Sequence, residues 1–331
     1  MASLNVLEFE KSLSELDSNL DKLNRVVQDR ANPQNTPELP NQIADLEQHR
    51  TALLGAFYAH LTPWDKVLLA RHEKRPYTLD YIAAVFSDFQ ELHGDRLIAD
   101  DGAIVAGLAR FEGWPVAVIG HQKGRDLKQR AFRNFGTARP EGYRKAIRVM
   151  KIAAKFGLPV ITLVDTAGAA ADVGADERGI SEAIARAMFE MASLPVPIIS
   201  VIIGEGGSGG GLGLGLADRV LMLEHAYYSV ITPEGCAAIL WRDPSLASKA
   251  AEQLNLTAQR ALELGVIDAI IPEPLGGAHR EWEGAAQNLR AALACHLDQL
   301  LGTPPQALLA ARYDKFRHMG RYVDDAEGEA A

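Results

Sequence analysis

Apolar positions in the first sixty residues recur at helical spacing. In FEKSLSELDSNLDKLNRVV, the residues Leu13, Leu16, Leu20, Leu23 and Val26 fall at three- and four-residue steps and form one stripe. ANPQNTPELPNQ interrupts the pattern with Pro33, Pro37 and Pro40, none of which can donate a backbone N–H, and reads as a connector. IADLEQHRTALLGAFYAHL resumes the helical period. Residues 1–62 are therefore expected to form a helical hairpin, its stripe packed on the same chain or on a second protein. From Gly102 the period shortens. AIVAGLARF and WPVAVIGHQ are short apolar strands separated by Glu112-Gly113, a hairpin signal. PEGYRKAIRVMKIAAKFG is helical and leads to the strand LPVITLVDTAG. ISEAIARAMFEMASL leads in the same way to VPIISVIIG, and RVLMLE, YYSVI and TPEGCAAIL follow. Strands alternating with helices of this length predict an α/β architecture with largely parallel strands. The expected segments are the hairpin (1–62), the α/β domain (63–280), and a helical stretch ending in the acidic DDAEGEAA (281–331).

Composition removes several function classes. At 331 residues and 47% hydrophobic, the chain can bury a large core, while a net charge of −9 argues against nucleic-acid binding through overall charge. The only cysteines, Cys236 and Cys295, are far apart and make no C-x-x-C pair, which leaves neither a zinc ribbon nor a disulfide scaffold. MASLNVLEFEKSLSEL lacks the basic and apolar regions of a signal peptide. The longest apolar stretch, from Val196 to Leu216, is broken by Glu205 and falls short of an uninterrupted span of about 18 residues. A cytoplasmic protein without membrane segments is expected.

The stretch IISVIIGEGGSGGGLGLGL places eight glycines between Gly204 and Leu216 and admits four readings. Gly204-x-Gly206-x-x-Gly209 after a strand, with Glu224 downstream, fits a dinucleotide fingerprint, but the acid comes early and the intervening helix is short. Gly206-x-Ser208-x-Gly210 fits a nucleophile elbow, with Asp268 and His279 as paper partners. Gly207, Gly211 and Gly215 match the close-packing spacing of membrane helices, against which Glu205 counts. The fourth reading uses the backbone. Uncovered amides at a strand-to-helix junction can form an oxyanion hole, with the later glycines allowing close packing. Close packing alone is the plain alternative, and spacing does not separate the two.

Surrounding blocks carry a resemblance. GEGGSGG, YSVITPEG, IPEPLGGAHR, RPYTLDYI, GHQKGR, RNFGTARPEGYRKA and GADERGISEAIA occur in the order found in the α subunit of bacterial acetyl-CoA carboxylase carboxyltransferase, which most of this chain resembles. The resemblance implies a crotonase-like fold, a superhelix of β-β-α units with an N-terminal helical extension. It implies transfer of a carboxyl group from carboxybiotin, held on a separate carrier protein, to acetyl-CoA, giving malonyl-CoA for fatty acid synthesis. By that analogy the amides of Gly206 and Gly207 are the catalytic oxyanion donors toward the biotin ureido oxygen. Gly168, Ala169, Gly174 and Ser208 would then lie on the biotin side of the site. The implied partners are a β subunit in an α2β2 assembly, the biotin carboxyl carrier protein and biotin carboxylase, which supplies the ATP-dependent step. Zinc is expected only in the β subunit and no metal in this chain. Met150-Lys151-Ile152 keeps half of the Met-Lys-Met carrier motif and reads instead as a solvated lysine on a helix.

Two features modify this picture. The family pattern D-T-P-G-A-Y-P-G appears here as Asp165-Thr166-Ala167-Gly168-Ala169-Ala170-Ala171-Asp172, without either proline or the tyrosine. That predicts a looser loop, an altered biotin or acyl pocket, and an extra negative charge at Asp172. A subunit of altered specificity, or one that has lost catalysis, is the corresponding alternative. Residues 123–155 also hold eleven Lys or Arg against only Asp126 and Glu141. This is either a solvated helical face or a surface for phosphates, an acidic carrier or the partner, with Lys123 and Arg125 the candidates nearest a strand end. His121, His279 and Cys236 read as structural.

Overall fold

The computed structural model describes residue 7 and residues 10–29 and 36–320. The acidic tail and Pro33 lie outside the described residues. Helices α1 (Lys11–Gln28) and α2 (Leu39–Tyr58) pack on each other, with Leu13 and Leu20 of the stripe buried. Pro40 stands in the first turn of α2 and not in the connector, because a residue without an N–H costs nothing where the helix has no partner for it. The base of the hairpin is fastened to its own chain. The Glu10 carboxylate accepts from Tyr58 Oη at 2.9 Å and from Arg280 Nε at 2.8 Å, and lies 3.4 Å from His279 Nε2. Arg280 also reaches Asp17 at 2.6 Å.

The main body opens with α3 (Pro63–Ala70), started by a Thr62–Asp65 capping box, and α4 (Thr78–Val85), started by Tyr77 and Asp80. Strands β1 (Ser87–Glu91), β2 (Ile104–Phe111) and β3 (Trp114–His121) form an antiparallel edge. The β2–β3 turn is the expected Glu112-Gly113, both at positive φ (47° and 82°), as a tight two-residue hairpin requires. After α5 (Leu127–Phe132) and α6 (Pro140–Phe156), the strand β4 (Val160–Thr166) pairs parallel to β3. Next come α7 (Val173–Glu177), α8 (Ile180–Ser193), β5 (Ile198–Gly207) and α9 (Ser208–Leu212). Every residue of β4 and β5 is buried, which is why both read as continuous apolar runs without alternation.

The remaining elements are β6 (Arg219–Leu223), β7 (Tyr227–Ser229), α10 (Pro233–Trp241), α11 (Ala247–Gln253), α12 (Ala258–Glu263), β8 (Ala269–Ile271), α13 (Trp282–Leu300) and α14 (Pro305–Arg317). The sheet order is β1-β2-β3-β4-β5-β6-β8, with β7 continuing on β5. The expected α/β pattern is therefore present as a mixed sheet. Residues beyond 280 are not peripheral: Leu289, Leu293, Leu297 and Leu308 belong to the same hydrophobic core as the strands. Arg312 of α14, 2% exposed, forks onto Asp218 with both contacts at 2.8 Å and donates to the carbonyls of Met191, Leu194 and Val196. No helix among the described residues is long and apolar enough to cross a membrane.

Candidate functional site

Strands β4 and β5 part at their carboxyl ends. Val164 pairs with Ile202, but the next pairing joins Thr166 to Gly206, so residues 203–205 bulge opposite Asp165. The bulge is held by Asp165, whose Oδ1 accepts the Glu205 N–H at 2.9 Å. Gly204 is required here, since a Cβ would come within 2.4 Å of that same oxygen. Lys123, at the end of β3, places Nζ 2.7 Å from both Asp165 Oδ1 and Glu205 Oε1. On its other oxygen Glu205 accepts from Tyr227 Oη at 2.6 Å and Arg71 Nε at 2.7 Å, and Arg71 continues to Glu234 of α10 at 2.5 Å. Six segments of the chain are thus tied to one charge network.

Electrostatics follow from that geometry. Burial pushes the Glu205 carboxyl up, but Lys123 and Arg71 outweigh it and hold it at about 2. Burial raises Asp165, opposed by Lys123, and the Lys123 ammonium is itself held well above its ordinary value by the two carboxylates against the pull of burial. His121 is driven down to about 3, first by burial and then by Lys123, so it is a neutral core imidazole.

Past this network the strand ends open into a cleft of about 440 Å³, bordered by Gly168, Ala169, Ala170, Ser208, Gly209 and Thr232. Its two walls touch. A Cβ on Gly210 would lie 2.5 Å from Ala169 N and from the Gly168 carbonyl carbon, so α9 sits directly against the 168–169 turn. Gly213 performs the same service against the Tyr143 ring, where a Cβ would come within 2.5 Å. Ser208 turns the chain from strand to helix at φ 52° and lies between the cleft and a more apolar cavity of about 280 Å³ lined by Leu212, Tyr228, Val230 and Leu264.

Several expected roles shift. Gly206 and Gly207 do not border the cleft: both are buried inside β5, with Gly206 paired to Thr166 and Tyr228 and Gly207 to Ser229. Both therefore stand in ladder positions at the end of β5, where the N–H groups of a strand point alternately to its two neighbours. A candidate donor on the cleft wall is Ala169. Its N–H takes no acceptor among the described residues, whereas Gly168 N–H is satisfied by Thr166 Oγ1 at 3.1 Å and Ala170 N–H by the Ala138 carbonyl. Gly174 sits in α7, away from the cleft lining. Neither basic candidate is free for phosphate. Lys123 is committed to Asp165 and Glu205, and Arg125 pairs with Asp80, stacks between Tyr77 and Trp282 and donates to the carbonyls of Glu73 and Arg75. Asp172 brings no loose charge: it caps α7 through the Ala175 N–H at 3.0 Å and pairs with Arg139 at 3.2 Å.

The rival glycine readings lose their ground. Strand β5 runs through Gly204, Gly206 and Gly207, which a phosphate-binding turn would need outside the strand, and Glu224 accepts the Glu273 N–H. The positive φ of Ser208 suits an elbow, yet Asp268 serves Val220 N–H and Lys315 while His279 faces Glu10, so no triad assembles. Lys151 is exposed and pairs with Glu190 at 3.0 Å, a solvated helical lysine. Asp165, Glu205 and Arg71 join the site only through the fold. The signal was there in Asp165 and Glu205, two acids set at the ends of otherwise apolar strands.

Comparison with known proteins gives a consistent result. The family model described as acetyl co-enzyme A carboxylase carboxyltransferase-like matches residues 6–320. An acetyl-coenzyme A carboxylase carboxyl transferase subunit alpha from Polynucleobacter necessarius is 53% identical, covering 96% of this chain and 97% of its own length. Its counterpart from Geobacter metallireducens is 52% identical over 98% of this chain and all (100%) of that one. Among solved structures, a transcarboxylase 12S with methylmalonyl-coenzyme A bound superposes with a TM-score of 0.54 at 19% identity, covering 68% of this chain and 42% of that one. A Pseudomonas malonate decarboxylase hetero-tetramer in complex with coenzyme A gives 0.54 at 19% identity, covering 64% and 85%. These structures share the crotonase-like carboxyltransferase fold expected for the chain.

Proposed function

The chain belongs to the acetyl-CoA carboxylase carboxyltransferase family as an alpha subunit, and from that premise we propose that the cleft between the 168–171 loop and Ser208–Gly209 receives the carboxybiotin of a carrier protein. The family reaction is carboxyl transfer to acetyl-CoA. The observation that carries the placement is the Ala169 N–H, without an acceptor among the described residues and bordering a cleft whose volume of about 440 Å³ suits a small organic group. Bound there, carboxybiotin would supply the carboxyl group, and the ring nitrogen freed when that group leaves would supply the base that takes the acetyl proton before the new carbon–carbon bond forms. The residues of this chain orient and stabilise. The Ala169 amide meets negative charge on a ureido oxygen, a preorganised donor that needs no titrating side chain. The Gly209 amide, in the first turn of α9 and on the same cleft wall, is the second donor. Gly168 and Ser208 shape the opening. The Lys123–Asp165–Glu205 network fixes the distance between the two walls.

The alpha designation implies a hetero-oligomer with a beta subunit. We assign the fuller assembly as α2β2, with the zinc ribbon and the acyl-CoA oxyanion hole in the beta chain, and with the carrier protein and biotin carboxylase as further partners. Replacing Ala169 with proline removes the one amide proton at issue. In the assembled complex Ala169→Pro is expected to lower kcat for malonyl-CoA formation by about 10²–10³, the usual cost of one oxyanion donor, while Ala169→Gly stays near wild type. Equal loss in both variants, or in neither, removes Ala169 from the mechanism.

A further inference from the structure

A second cleft, strongly charged, lies on the face formed by α6, α8 and the 94–99 loop. Its volume is about 570 Å³. Helix α6 contributes Arg144, Arg148, Lys151 and Lys155, which follow one another at four-, three- and four-residue steps and so share one side of the helix. Arg96 comes from the loop and Arg186 from α8, against only Asp95 and Glu182 as acids in the lining. Six cations and two carboxylates face one opening in a chain whose net charge is −9.

Some of these charges are already compensated. Arg144 holds Asp95 at 3.1 Å and Glu141 at 3.3 Å, and Lys151 and Arg186 share Glu190 at 3.0 and 2.7 Å. Arg96 and Arg148 are different. Among the described residues neither has a carboxylate partner within ion-pair distance, and both donate only to backbone carbonyls of the same short turn. Arg96 reaches the His93 carbonyl at 2.8 Å, while Arg148 reaches Gly94 at 3.0 Å and His93 at 3.0 Å. The turn that receives them is rigidly made: Asp95 Oδ1 accepts the N–H groups of Leu97, Ile98 and Ala99, and Asp100 accepts from Gly94 N–H and Lys145. Burial and then the neighbouring Arg96 depress the Arg148 pKa, against a smaller opposing pull from Asp100. Lys155, stacked on Phe156, also lacks a carboxylate among the described residues.

We propose that this cleft is a binding site for a phosphate-bearing small molecule, with phosphoryl oxygens bridging Arg96 and Arg148 and the Ile147–Ile152 flank available to an attached apolar or aromatic group. Two guanidiniums presented together suit a dianion, because each offers planar paired donors. The site is separate from the cleft at the ends of β4 and β5 and does not depend on the reading given to that cleft.

The test is calorimetric titration of the full-length chain with inorganic pyrophosphate, and in parallel with adenosine diphosphate, at low ionic strength. One saturable site per chain is expected, weakened at least tenfold in Arg148→Ala and in Arg96→Ala, with partial recovery in Arg148→Lys. Arg96 is exposed and holds a single carbonyl, so its variant keeps the test valid should Arg148→Ala fold poorly. Similar affinity for the two probes assigns recognition to the phosphoryl group alone; tighter binding of the nucleotide adds the Ile147–Ile152 flank. Absence of saturable binding, or binding that the Arg96 and Arg148 variants leave unchanged, overturns the proposal.

Discussion

Replacing Lys123 with methionine keeps most of the side chain's volume and deletes its charge. Two buried carboxylates, Asp165 and Glu205, then face each other without the ammonium that lay 2.7 Å from each. At an effective dielectric of about 20, each of those contacts is worth roughly 6 kcal/mol before desolvation is subtracted. Desolvation cancels much of this, and experience with buried pairs that lose one partner gives a net cost of about 3–5 kcal/mol. Glu205 keeps Arg71 and Tyr227, so the loss falls chiefly on Asp165. For a chain of 331 residues the unfolding entropy is about 0.7 kcal/mol/K, and the midpoint should fall by about 4–7 °C. The pH dependence is the sharper signature. Without Lys123 the folded pKa of Asp165 rises further above its unfolded value. Such a group stabilises fully below its unfolded pKa and loses that contribution as pH rises through the folded one. The deficit of Lys123→Met should therefore be largest near pH 8 and shrink toward pH 5. Thermal unfolding of both proteins across that range measures it. A deficit below about 1 kcal/mol, or one that does not vary with pH, would falsify the assignment of Lys123 as the counter-charge of this network.

Other perturbations read different parts of the site. Gly210→Ala drives a methyl into the 168–169 turn, where the gap is 2.5 Å; displacement of the Ala169 amide by about 1 Å is expected to cost near 10²-fold in malonyl-CoA formation by the assembled complex, and normal turnover would detach that turn from the chemistry. Ala170→Tyr places a ring in the cleft and should alter KM or kcat for the carboxyl donor; unchanged turnover and acyl preference would take position 170 out of the pocket. Burial raises Glu10, but His279 and Arg280 outweigh it and hold the carboxyl at about 2 against an ordinary 4.5. Its folded pKa is depressed, so its contribution is present above about pH 4.5 and disappears as pH falls toward 2. Hydrogen exchange in α1 and α2 should accelerate over that interval ahead of exchange in the sheet.

Local pattern was a good guide wherever one segment decides its own structure. The β2–β3 hairpin, the helix from Pro140 and the strands ending at Thr166 and beyond Ile198 all fall where period and turn chemistry place them. The glycine run was harder because its letters serve three neighbours at once. Gly204 makes room for Asp165, Gly210 for the 168–169 turn and Gly213 for Tyr143, and each of those contacts is made by residues distant in sequence. The same limit applied to Gly206 and Gly207. Their amides look available after an apolar run, and only β7, which follows β6 and returns to extend along β5, shows that both lie within the sheet. Charge at a strand end is ambiguous for a related reason. Lys123 and Arg125 stand at a strand end, as ligand-binding residues do, but their partners lie on α4, β4 and β5.

The fork between Arg312 and Asp218 has a bearing on how the chain is made. Asp218 enters the interior between β5 and β6, yet the guanidinium that neutralises it is translated ninety-four positions later. Until α14 has left the ribosome, a nascent chain carrying the whole sheet must either leave that carboxylate hydrated or keep the crossover open. Synthesis order therefore makes the docking of α14 a late step of maturation, and a message truncated before codon 312 should yield a product that chaperones retain.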